Sequence, residues 1–264
     1  MSTAPALSPC AEIVRRHDPD RFLTALFAPA ARREALFTLY AFNHELARAR
    51  EVVSEPMLAL IRLHWWREVV QGTPKRHEVA TPLAAMIGQG VLLPVDLMAM
   101  IDGREAEADP AIPDRAAWTA YLTATAGGVM MAAGRALGAA PDILARLVRL
   151  GRAHGVAGQL RNVPVLARTG RVLLPQDVLG AHGLTIHDVT AGHGADRLRA
   201  ALAELAAEGR AELAGLRGTL PRSVIAAALP ALLARRDLDR DTPPGARGFG
   251  DRMAVLAAWA RARI

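Results

Sequence analysis

At 264 residues the chain has room for a substantial core, and its 52% apolar and 22% charged residues exclude an intrinsically disordered protein. Its formal charge of +6 comes from 31 Arg and one Lys, Lys75, spread along the sequence rather than gathered in a block, so most of them read as solvated helix faces. The surplus favours an anionic ligand or an acidic lipid surface, whereas 4% aromatic residues and no familiar binding motif argue against nucleic acid.

The opening stretch, MSTAPALSPCAEIVRRHDP, has no basic start followed by an apolar run, so no secretory signal is read there. It holds the sole cysteine, Cys10, which excludes an intrachain disulfide and a cysteine zinc cluster. Helical periodicity and caps dominate the rest of the chain, and no alternating strand stands out. Pro29 sits where a helix can begin, and ARREALFTLYAFNHELARAREVV then runs about six turns. Ser54 is expected to cap the next helix, with Glu55 and Pro56 in its first turn and Gly72 as its stop. Further starts fall at Pro82, Pro94, Pro113 and Pro141, and Asp114 is expected to cap a long helix containing Tyr121 and Gly127. The longest uncharged stretch, residues 116–134, approaches the ~20 residues of a membrane span. Its threonines and glycines make it weakly hydrophobic, and it reads as a buried central helix.

The helical pattern over residues 142–167 contains Pro164, which should kink or stop the helix near Val163. A short helix is expected at Gln176–Ala181, a long one near 195–216, and two more near 222–235 and 247–263. The linker between the last two, DLDRDTPPGARG, is too short for a domain boundary. With no internal repeat, residues 1–264 are read as one all-α domain, cytoplasmic, with peripheral membrane association left open.

Two segments carry the functional information. LYAFNHELARARE, residues 39–51, and LRNVPVLARTGRVLLP, residues 160–175, resemble the two aspartate-rich helix motifs of the squalene/phytoene synthase family, YAFCRxxDDxxD and LRDVGEDARRGRxYLP. GRA at 151–153, YLTATAGG at 121–128 and GRVLLPQDVL at 170–179 match further parts of the family frame. The resemblance covers roughly residues 22–184 and weakens in the C-terminal third. It implies a single-domain isoprenoid-synthase-like helical fold around a central cavity. For a typical member it also implies head-to-head joining of two prenyl diphosphates with two or three Mg²⁺ ions.

Magnesium demands oxygen ligands in near-octahedral geometry, and DDxxD places carboxylates at i, i+3 and i+4 on one helix face. Here the first set falls on Ala47, Arg48 and Glu51, and the second on Asn162, Val165 and Leu166. Only Glu51 keeps a carboxylate. Arg48 beside it repels a divalent ion, since a unit charge pair at about 4 Å and an effective dielectric near 20 is worth ~4 kcal/mol. The expectation is therefore no catalytic residue, no metal and no cofactor, with Mg²⁺ required only if prenyl transfer survives on carboxylates from elsewhere.

A narrower resemblance, carried by AFNHELARAREVVSEPMLALIRLHWW and the LRNVP segment, is to the non-catalytic branch of the family that includes the mitochondrial complex I assembly factor. Asn43, Glu45, Ser54 and Glu55 are diagnostic of that branch, while Asn162 and VLART depart from it. The branch implies complex I subunits or assembly intermediates as partners. Two other readings stay open: a prenyl diphosphate transferase, and a carrier of prenyl or lipid diphosphates.

The candidate cavity or partner residues are Tyr40, Asn43, Glu45, Tyr121, Arg161, Arg168 and Arg171. Asn43 and Glu45 either anchor a ligand or partner, or Asn43 satisfies a buried contact while Glu45 pairs with Arg48 at the surface. Tyr40, Phe42 and Phe37 either line a prenyl-sized cavity or are plain core. Trp65 and Trp66 point about 100° apart on a helix, so one belongs to the core and the other is open to a partner. Arg161, Arg168 and Arg171 either grip a phosphate without metal or are exposed arginines near a helix end. His182, His187 and His193, near Asp188, do not share a helix face, and no metal site is expected there.

Overall fold

Prolines and short polar side chains start most of the helices. The computed structural model describes residues 6–53, 55–240 and 247–264. Two short helices come first: α1 (Pro9–His17), where the Ser8 hydroxyl accepts from Ala11 N, and α2 (Pro19–Ala25), where Asp18 accepts from Arg21 N. Each has proline at its first position, where no internal hydrogen bond is lost. Pro29 caps α3 (Ala30–Glu51), the helix of the first motif. In α4 (Pro56–Val70) the cap is Glu55, which was expected inside the first turn; the expected cap, Ser54, lies outside the described residues. Gly72, with φ 98°, closes that helix as expected.

Then come α5 (Ala80–Gly88), α6 (Pro94–Arg104) and a single 3₁₀ turn at Glu105–Glu107. Asp114 caps α7 (Arg115–Leu122) by accepting from Ala117 N at 2.8 Å. The rest of the chain is α8 (Gly128–Ala136), α9 (Pro141–Ala167), α10 (Gln176–Ala181), α11 (Ile186–Thr190), α12 (Ala195–Ala214), α13 (Ile225–Leu238) and α14 (Phe249–Arg261). The architecture is all-α, and α9 is its axis, packed against α8, α12 and α13. Leu147, Leu150 and Ala153 of α9 are fully buried there, within one continuous apolar cluster that reaches from Cys10 to Ile264. Among the described residues no helix is long and apolar enough to cross a membrane.

Further details depart from expectation, beginning with α5, which starts two residues before the expected Pro82. Of the kink or stop expected near Val163, the stop does not occur, since α9 continues through Pro164 to Ala167. So close to the end of the helix the proline removes one backbone bond, and buried Val163 holds the turn against the core. A strand pair also exists: β1 (Ala111–Ile112) lies parallel to β2 (Val172–Pro175), both wholly buried and too short to show alternation in a sequence. Finally, the long helix through Tyr121 and Gly127 widens into one π turn at Thr123–Gly127. The Thr123 and Thr125 hydroxyls donate to the carbonyls of Thr119 and Tyr121, both at 2.7 Å. The crossing with α9 is close enough that a Cβ on Gly151 would sit 2.5 Å from Ala126 O, so only glycine fits.

Candidate functional site

The two motif helices meet across one cavity of about 190 Å³. Asn43, Ala47 and Glu51, spaced by four, form the α3 wall, while Gly158, Gln159, Asn162 and Leu166 belong to the α9 wall. Arg21 of α2, Arg104 of α6, Glu107, Arg161 and Arg171 also line it. In each motif only the i, i+4 pair turns inward. Arg48 instead lies in a separate surface hollow with His17, His44 and Glu78, and Val165 is 52% exposed on the outside. The motif faces therefore converge as expected, and together they bring Glu51 as their one carboxylate.

A second carboxylate, Glu107, was not singled out in the sequence. It is held in place: Oε1 accepts from Arg104 Nη1 at 2.5 Å and from the Tyr121 hydroxyl at 2.6 Å. Arg104 Nη2 donates to Asn43 Oδ1 at 3.0 Å, and Gln159 Nε2 donates to the Tyr121 oxygen at 2.9 Å. A buried chain of hydrogen bonds thus ties α3, α6, α7 and α9 across the cavity. Burial and the Glu107 charge push the Tyr121 hydroxyl well above its ordinary value, so it stays a donor. Burial, then Glu107, likewise raises the Glu51 carboxyl.

Arg171 is 4% exposed and donates from Nη2 to the backbone carbonyl of Glu107 at 3.0 Å. Burial lowers its guanidinium below the usual value. Arg171 Nε and Gln159 Oε1 are buried without a partner. His154, on the same wall, has Nδ1 3.2 Å from Pro230 O, and burial and then Arg21 push it down to about 3. It is a neutral imidazole that donates from Nδ1 to that carbonyl.

The remaining candidates sort cleanly. Asn43 makes the buried contact with Arg104 and faces the cavity. Glu45 does pair with Arg48, at 2.9 Å, but is 5% exposed and not a surface residue. Tyr40 and Phe42 are core side chains, 2% and 0% exposed, and do not line the cavity; Phe37 stacks on Phe22 at 5.4 Å. Their aromatic faces are used up by packing, so a prenyl-lining role is withdrawn. Arg161 joins Arg171 at the cavity and also lies 3.3 Å from Asp237 Oδ2, but Arg168 is exposed and donates to Pro164 O. The expected trio is therefore a pair. Trp66 is buried and Trp65 half-buried, as their adjacency requires. His182 Nε2 lies 2.8 Å from Glu204 Oε2, and among the described residues no three His, Cys, Asp or Glu side chains gather as a metal cage needs.

The family model of squalene/phytoene synthase matches residues 14–260. The "NADH dehydrogenase (ubiquinone) complex I, assembly factor 6" of Mus musculus is 29% identical over 231 residues, covering 85% of this chain and 69% of the relative. The phytoene synthase of Thermus thermophilus is 38% identical over 148 residues, covering 54% of this chain and 50% of that one. A solved dehydrosqualene synthase superposes with a TM-score of 0.76 at 17% identity, over 96% of this chain and 94% of that one, which is a likeness of fold.

Proposed function

The chain belongs to the squalene/phytoene synthase family, and within that family we propose that it is a non-catalytic member assisting the assembly of respiratory complex I. One observation carries this reading, the donor set where the motif helices meet. The inward positions are Ala47, Glu51, Asn162 and Leu166, and the other carboxylate of the lining, Glu107, is already bonded to Arg104 and Tyr121. Arg21, Arg104, Arg161 and Arg171 also line the cavity, so a divalent ion would meet more positive than negative charge. Such donors do not fit the magnesium ions that the family's reaction requires. Without those ions the departure of diphosphate has no driver in this chain.

The curated relatives named for complex I assembly support the partner side of the proposal. The partners are complex I subunits or assembly intermediates, met at the membrane face from the cytoplasmic side. Deleting the gene should abolish NADH oxidation through complex I in membranes of the source organism and leave isoprenoid products unchanged, with restoration by the intact gene. Intact complex I activity alongside lost isoprenoids would overturn it.

The second reading, a prenyl diphosphate transferase, is favoured by the phytoene synthase of Thermus thermophilus, the more identical of the two relatives over a shorter span. It requires carboxylates beyond the motif helices. Carriage of a prenyl or lipid diphosphate rests on Arg161 and Arg171 facing one cavity, which at about 190 Å³ suits a head group.

A further inference from the structure

We propose that the outward face of α14, with the groove beside it, docks the protein on an anionic lipid surface. Phe249, Met253 and Leu256 stand at i, i+4 and i+7, hence on one stripe, and are 80%, 43% and 41% exposed. Single exposed apolar side chains are ordinary, whereas three large ones aligned on one helix call for something to cover them. One turn past Leu256, Trp259 forms a wall of a groove of about 610 Å³ that also contains Leu26 and Phe27. The Phe27 and Trp259 rings lie 5.5 Å apart, and Leu26 is itself 42% exposed.

The described exposed charges of the groove and of α14 are arginines. Among the described residues, Arg33 and Arg222 line the groove and no carboxylate does. The Arg222 guanidinium lies 6.0 Å from the Trp259 ring and donates to Ala260 O at 2.8 Å. On α14 the exposed charged side chains are Arg252 and Arg261. Its only acid, Asp251, is 3% exposed and accepts from Arg236 at 2.6 Å and Arg240 at 2.8 Å. That buried cluster fixes the helix so that the stripe faces outward.

Exposed arginines beside Phe, Met, Leu and Trp fit lipid better than protein. Interfacial helices sink such side chains to the acyl boundary while guanidinium groups stay with the phosphates, and no residue-by-residue register is needed. Docking of this kind is superficial, and it does not depend on the assembly role.

Flotation of the full chain with vesicles tests it, using phosphatidylcholine alone or equal parts of phosphatidylcholine and phosphatidylglycerol. Binding should appear on the anionic vesicles, stay weak on neutral ones and fall as salt rises. The double variant Phe249→Ser with Leu256→Ser should lose about tenfold in partitioning, and Arg252→Gln or Arg261→Gln about fivefold each. These side chains are exposed, so melting temperatures should hold, and Val95→Ser, at a 68% exposed apolar residue of α6, should bind like the parent. Equal binding to neutral vesicles, absence of binding to anionic ones, or stripe-dependent self-association in sedimentation would each overturn the proposal.

Discussion

Arg171 is a buried guanidinium and Arg247 a half-buried one, and their surroundings are opposite. Arg247, just before α14, donates to Asp20 from Nε at 2.9 Å and from Nη2 at 2.6 Å, and from Nη2 to Asp237 at 2.7 Å. It ties α2 to the end of α13. Burial works against its charge, but the bonds to the two carboxylates outweigh that and raise its pKa. Arg171, between α9 and β2, bonds one backbone carbonyl, leaves Nε without a partner and has its pKa lowered by burial. Glu107 and Glu51 are near enough to favour its charge, but neither carboxylate takes a hydrogen bond from it, so the guanidinium is only loosely held. Arg247 is a clamp that holds the bundle together, whereas Arg171 lines a cavity whose motif positions carry one carboxylate, Glu51.

Substitutions at the two arginines should differ accordingly. Arg247→Met leaves half-buried Asp20 without its cation, while Asp237 keeps Arg161 and Arg240, and should cost about 3 kcal/mol, read as a lower midpoint in denaturant; a smaller loss than at Arg171 would contradict the clamp. Tyr121→Phe removes the hydroxyl shared by Glu107 and Gln159, and an expected loss of about 1–3 kcal/mol in the same assay measures how rigid the cavity network is. Arg171→Met, by contrast, should change stability by less than about 1 kcal/mol, and a gain would sharpen the claim that its charge is not held for folding.

The smallest effect carries a pH signature. Glu51 has its folded pKa raised, so its stabilising contribution belongs to the protonated form and is lost as pH rises through that folded value. At neutral pH the ionised carboxylate is a net cost, and Glu51→Gln should stabilise by a few tenths of a kcal/mol, small because the residue sits at the open mouth of the cavity, shielded on its inner side only and still screened by solvent. Below the ordinary carboxylate range that advantage should vanish. A variant melting profile parallel to the parent at every pH would remove the argument.

Much of this was legible in the chain. The α3 pattern, the Asp114 cap and the helix at Gln176–Ala181 follow from periodicity and punctuation, which are local. The helices α1 and α2 carry the same signals, Ser8 before Pro9 and Asp18 before Pro19, but are too short to show a helical period. In the site, residue spacing placed both motifs on helices but not which acids would have pointed inward: Arg48 and Val165 sit at motif positions and turn away. Glu107, Arg104, Gln159 and His154 had no motif to announce them. Glu107 comes from a three-residue turn, and its partners come from helices far apart in sequence, so only packing brings them together. The aromatic residues of α3 misled because core and cavity wall share the same helical spacing.

The most direct test is incubation with geranylgeranyl or farnesyl diphosphate and Mg²⁺, following released diphosphate over time. We expect none above the buffer control, for the parent and for Glu51→Gln alike. Release that requires Mg²⁺ and disappears with Glu51→Gln would contradict the central claim, because it would mean that the cavity holds a working metal site.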